Sequence, residues 1–167
     1  MNAARFGEIL RLLAENDVEF IVVGMTAGVL QGAPVTTIDL DIVHRRAPEN
    51  VARLLRVLRE IDAVYRHDRR NLQPKESHLV SPGHQLLTTA YGDLDCLGTI
   101  DDDLGYDELL GSVREIELAG GVVVKVLSLP ALIRSKERAA RPKDLAALPA
   151  LRATLDEISR RPPDADS

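Results

Sequence analysis

The sequence predicts an α/β domain: a small mixed β-sheet flanked by helices lying mainly on one side, with helical packing at both ends of the chain. Three observations predict it. Short β-branched runs alternate with amphipathic stretches, Gly, Pro, Asn and Asp punctuate them, and both ends carry apolar residues at helical spacing. The 167 residues suit one domain able to bury a core without disulfides, expected over 1–160, with 161–167 as a disordered tail.

Phe6, Ile9, Leu10 and Leu13 share one face of a first helix, which reads as part of the fold and not as a targeting signal. VEFIVVG, Val18 to Gly24, is a buried strand bounded by Asn16, Asp17 and Gly24. MTAGVLQG suits a two-turn helix stopped by Gly32 and Pro34, and TTIDLDIVHR is the next strand. From Pro48, Val51, Leu54, Leu55, Leu58 and Ile61 follow the helical period, and Arg53, Arg56 and Arg59 fall on a basic outer face.

The stretch from Arg66 to Gly83 is polar and aperiodic, with Pro74 and Pro82, and is expected to be mostly loop with one edge strand. Gln85 to Tyr91 and Asp93 to Leu97 form either a hairpin or one strand kinked at Gly92. REIELAG and GVVVKVLS, split by Gly120 and Gly121, form a hairpin. Ser128 then caps a helix with Pro130 in its first turn. Pro142 breaks that helix, and a further helix resumes despite Pro149.

Composition excludes several classes. No apolar run approaches the roughly 18–20 residues of a membrane span. Cys96 is the only cysteine, so no internal disulfide or cysteine-rich zinc site is possible, and a cytoplasmic location is expected. A net charge of -5 argues against coating DNA or long duplexes, so no DNA partner is expected.

Asp39 and Asp41 are the residues that carry chemistry. The strand period of two points both carboxylates to one face, while Ile38, Leu40 and Ile42 point to the other. Two like charges in so apolar a strand make sense with a divalent cation between them, and Mg²⁺ favours one or two carboxylates plus substrate phosphates. Upstream, the strand ending at Gly24 runs into a short helix whose free N–H groups suit a phosphate. Downstream, YGDLDCLG supplies Asp93 and Asp95.

Together these motifs resemble the nucleotidyltransferase superfamily related to the DNA polymerase β palm: a hydrophobic strand ending in Gly, then Asp-hydrophobic-Asp, then a third carboxylate on a later strand. Here they are Val23-Gly24-Met25, Asp39 to Asp41, and Asp95. The runs VGMTAGVLQGAPVTTIDLDIV, YGDLDCLGTI and LIRSKERAARPKDLAAL look like the small bacterial nucleotidyltransferases of the AbiEii and DUF6036 type, found as toxins with paired antitoxins.

The resemblance implies a nucleotidyltransferase-like fold. It also implies transfer of a nucleoside monophosphate from an NTP to an acceptor hydroxyl, with two Mg²⁺ ions, the acceptor end of tRNA as acceptor and an antitoxin as partner. Asp39, Asp41 and Asp95 would be the catalytic and metal-binding residues. Gly24, Met25, Thr26, Lys136 and Lys143 would lie around the nucleotide. Met25 departs from the pattern, which has Ser or Gly there, and this motivates an alternative: a catalytically silent protein that binds a nucleotide or a protein partner.

The remaining candidates read as structural. Arg134, Arg138 and Arg141 would share a helical face, but Arg141 precedes Pro142 and is biased out of the helix, and Asp144 and Glu137 are expected ion-pair partners on a solvated face. His44, His67, His78 and His84 are expected in loops or at the surface. Asp101 to Asp103 suit a solvated loop, and Cys96 suits the core.

Overall fold

The computed structural model describes residues 5–161. The predicted tail therefore lies outside the described residues, apart from Arg161.

Among the described residues one seven-stranded mixed sheet organises the fold, in the order β3 (Val64–Tyr65), β4 (His84–Thr89), β5 (Gly92–Leu97), β2 (Asp39–His44), β1 (Phe20–Val23), β7 (Val123–Leu127), β6 (Val113–Glu117). Its centre is β1 (Phe20–Val23), β2 (Asp39–His44) and β5 (Gly92–Leu97). β1 runs antiparallel to β2, and β2 runs parallel to β5. β7 (Val123–Leu127) lies parallel to β1 and carries the edge strand β6 (Val113–Glu117) as a hairpin. On the other side β4 (His84–Thr89) and β5 form a hairpin, which settles the Gly92 ambiguity: Gly92 takes φ 126°, a tight turn open to glycine.

The helices follow the periods in the sequence. α1 (Phe6–Glu15) buries Ile9, Leu10, Leu12 and Leu13, and α3 (Pro48–Glu60) buries Val51, Leu54, Leu55, Val57 and Leu58. Each fully buried aliphatic side chain contributes roughly 1.5–3 kcal/mol, so these two faces anchor the sheet. Asn50 fixes α3 in register: it is fully buried, accepts the Glu19 amide at 2.7 Å and donates to the carbonyls of Glu19 and Arg45. α2 (Gly24–Leu30) starts where β1 ends.

The edge strand, β3 (Val64–Tyr65), lies just before the stretch expected to contain it, and that stretch holds instead a single turn of helix, α4 (Glu76–Leu79). α5 (Tyr106–Leu109) is equally short. Ser128 caps α6 (Leu129–Ala139) by accepting the Ala131 amide. Ala140 then takes the left-handed conformation and Arg141 an extended one, and α7 (Pro142–Arg160) continues through Pro149.

One histidine departs from expectation. His44 is buried, not a surface histidine, and its Nε2 lies 2.7 Å from the Leu79 carbonyl. Burial holds its pKa below the usual histidine value, so it packs as a neutral ring. No described helix is long and apolar enough to cross a membrane.

Candidate active site

The sheet order brings the three acidic positions together. β2 and β5 are parallel neighbours in a register that sets Asp39 beside Asp93 and Asp41 beside Asp95. Because paired residues on adjacent strands project to the same face, carboxylates far apart in sequence converge. Oxygens of Asp39, Asp41 and Asp95 all lie within 4.8 Å of one another.

Crowding has an electrostatic consequence. Burial first, then the charges of Asp39 and Asp95, push the Asp41 carboxyl up to about 8. Burial also raises Asp95, against the opposing pull of Arg66. A group of acids that cannot all ionise alone fits a divalent cation, which supplies the missing positive charge.

Gly24 closes the site from β1. Val23 pairs with Asp41, and Gly24 follows at φ 65° with its Cα against the Asp41 side chain. Met25, the next residue, is half-buried, packs on the core and lines the same cavity. Thr26 points elsewhere. Its hydroxyl is buried and donates to the Asp39 carbonyl at 3.1 Å, beside Thr37, which donates to the same oxygen at 2.7 Å. The two threonines fix the backbone that starts β2.

The cavity is about 880 Å³ and is lined by residues from both ends of the chain. Asp39, Asp41 and Asp95 line it together with Lys136, Arg141 and Lys143. Lys136 lies in α6 and Lys143 opens α7, so the α6–α7 turn carries all three cations to the cavity. Around the rim, Ile38 is 83% exposed and Leu86 44% exposed, beside Val35 and Leu97. Leu86 pairs with Asp95, which places an apolar side chain next to the third carboxylate.

Two site residues escaped sequence reasoning. Arg66 donates through Nη2 to Asp95 Oδ1 at 2.6 Å and to the Leu87 carbonyl at 2.8 Å, and its Nε lies 3.3 Å from Asp93 Oδ2. It comes from an aperiodic segment that also holds Arg69 and Arg70, and nothing in the sequence sets it apart from them. Asp144 is the other. The sequence suggests a solvated ion-pair partner, whereas the side chain is fully buried between Lys136 and Arg141. Glu137 pairs with Arg152 instead. Arg134 and Arg138 are exposed and do not line the cavity. Cys96 is buried, and burial raises its thiol pKa, in keeping with a core residue. Asp101 lies in a turn and accepts the Ser135 hydroxyl at 2.7 Å.

No protein-family model matches the chain, and no curated protein matches its sequence. Solved structures do match. The nucleotidyltransferase-like protein TM1012 of Thermotoga maritima superposes with a TM-score of 0.53 at 20% identity, covering 91% of each chain. ANT(2")-Ia, in complex with adenylyl-2"-tobramycin, gives 0.60 at 17% identity over 92% of this chain and 89% of that one. The lincosamide adenylyltransferase LnuA, lincomycin-bound, gives 0.61 at 16% identity over 89% and 95%. The chain has the nucleotidyltransferase-like fold.

Proposed function

We propose that the protein is a metal-dependent nucleotidyltransferase that moves a nucleoside monophosphate from an NTP to an acceptor hydroxyl. One observation carries the reading: Asp39, Asp41 and Asp95 converge on a cavity that Lys136, Arg141 and Lys143 also line. Carboxylates for metal ions and basic side chains for phosphates in one cavity are what phosphoryl chemistry requires, since its catalysis is mainly positioning and charge stabilisation.

Asp39, Asp41 and Asp95 are the residues that would hold Mg²⁺, in the two-ion arrangement the sequence resemblance implies. Bound there, Mg²⁺ would neutralise phosphate charge and make an acceptor hydroxyl more acidic. Asp95, whose Oδ1 accepts from Arg66, would also receive the acceptor proton. Gly24 keeps the space beside Asp41 open, and Lys136 and Lys143 orient the phosphates.

The acceptor has two readings. Resemblance to the toxin-type enzymes supports the acceptor end of tRNA, in a protein paired with an antitoxin. The exposed side chains of Ile38 and Leu86 at the cavity support a compact hydroxyl compound with an apolar part, and the ANT(2")-Ia and LnuA structures hold small molecules, adenylyl-2"-tobramycin and lincomycin. Met25 in the cavity lining favours a third reading, a silent nucleotide binder.

The test is incubation of the purified protein with each labelled NTP and Mg²⁺, with total tRNA in one arm and tobramycin or lincomycin in another. Label transferred by the wild type and lost in Asp39→Asn supports transfer, and the labelled species names the acceptor class. Nucleotide binding without label in any arm supports the silent binder and sinks the transferase.

A further inference from the structure

Asp144 lies in the first turn of α7 with no exposed side-chain surface, and a buried carboxylate requires compensating charge. Two cations supply it. Oδ1 accepts from Lys136 Nζ at 3.1 Å and from Arg141 Nη2 at 3.2 Å, and Oδ2 accepts from Arg141 Nε at 2.6 Å. Two cations against one carboxylate leave net positive charge. Among the described residues, Arg141 Nη1 and the remaining ammonium protons of Lys136 are not used by this cluster. Both side chains line the same cavity as Asp41.

A purely structural role would look different. Asp144 also accepts the Arg141 amide at 3.2 Å, which caps α7. A cap needs one backbone bond at the surface, but not burial or a lysine brought from another helix. Asp144 instead ties α6 to α7 across the left-handed turn at Ala140, and sets the direction of both cations.

We propose that Asp144 is a positioning residue that holds Arg141 and Lys136 as a clamp for the polyphosphate tail of a nucleoside triphosphate, with Arg141 itself a phosphate contact. This rests on the transferase reading above. A guanidinium fixed on one edge by a carboxylate loses little rotamer freedom when its other edge meets phosphate, which is the advantage of a preorganised arginine.

The test is calorimetric titration of ATP, ADP and AMP, with Mg²⁺ present, into the wild type, Asp144→Asn, Arg141→Ala and the double variant. Asp144→Asn keeps an oxygen for the α7 cap and removes the charge. The expected result is roughly tenfold weaker ATP binding in each single variant, a smaller loss for ADP, and AMP unchanged. The double variant is expected to be no weaker than Arg141→Ala alone, because the two residues act as a unit. Arg141 is exposed, so Arg141→Ala keeps the test decisive should Asp144→Asn fail to fold. Wild-type ATP affinity in Arg141→Ala, or equal losses for ATP and AMP, overturns the clamp while leaving the transferase reading intact. A wild type that binds no nucleotide overturns both.

Discussion

The Asp41 carboxylate stands in the space that a Cβ on Gly24 would fill. Gly24 is also at φ 65°, a left-handed conformation that costs other residues about 1–2 kcal/mol. Gly24→Ala is therefore expected to lose at least that much stability and to displace Asp41. Gly32→Ala is the control, because Gly32 has φ 95° but open space, with nothing within 4 Å of where its Cβ would sit. Both variants should melt earlier, and only Gly24→Ala should weaken Mn²⁺ binding measured by calorimetry. Equal Mn²⁺ affinity in the two would remove the link between Gly24 and the carboxylates.

Arg66 is the charge that allows Asp95 to be buried. Asp95 is 7% exposed, and its Oδ1 rests on Arg66 Nη2 at 2.6 Å. Breaking a buried pair from one side typically costs about 3–5 kcal/mol because the other charge is left uncompensated. Arg66 is 17% exposed, which moderates the penalty, so Arg66→Gln is expected to lose roughly 2–3 kcal/mol in urea unfolding. Adding Asp95→Asn should restore much of the loss. A double variant as unstable as the sum of the singles would show that the pair does not couple.

Much of this was legible in the sequence because it follows from periodicity. The strand period placed Asp39 and Asp41 on one face, the helical period marked the buried faces of α1 and α3, and Gly and Pro marked the hairpins and the α6–α7 break. Arg66 and Asp144 were illegible for one shared reason. Each is bonded by an element other than its own: Asp95 of β5 accepts from Arg66, 29 positions away, and Lys136 of α6 donates to Asp144, 8 positions away. A charged residue beside other charges looks the same in sequence whether solvent or another element covers it. Asp144 reads as one more polar helix position until α6 folds over it.

The Asp144 cluster predicts an acid-sensitive contribution to stability. Burial alone would raise this carboxyl, but its hydrogen bonds to Arg141 and Lys136 hold it at about 2 in the folded protein. An unfolded Asp titrates near about 3.9. The folded value is the lower one, so the contribution is fully present above the unfolded value and disappears as pH falls toward 2. Asp144→Asn should therefore lower the melting temperature near neutrality, and the difference from wild type should shrink between about pH 4.5 and pH 2. Asp41, raised by burial, acts in a higher window, so the comparison belongs at the acid end. A melting difference that stays constant across that range would show that the Asp144 charge adds no stability.

Met25 is where the chain departs from the glycine motif of the nucleotidyltransferases it resembles. It occupies the position after Gly24 where the resembling enzymes carry Ser or Gly, it lines the cavity, and part of its side chain packs on the core. A thioether offers phosphate no proton, whereas a hydroxyl there offers one. Met25→Ser removes some apolar packing at a half-buried site, a loss of about 1 kcal/mol by area, and opens the cavity wall. If the protein is a transferase that has adapted to Met25, the substitution should leave turnover with labelled NTP within a few fold and lower the melting temperature by a few degrees. If Met25 is what silences the site, Met25→Ser should convert a nucleotide binder that transfers nothing into one that labels an acceptor. The two outcomes are separated in one assay by comparing wild type, Met25→Ser and Met25→Ser with Asp39→Asn, because any label that survives loss of Asp39 arises outside the carboxylate site.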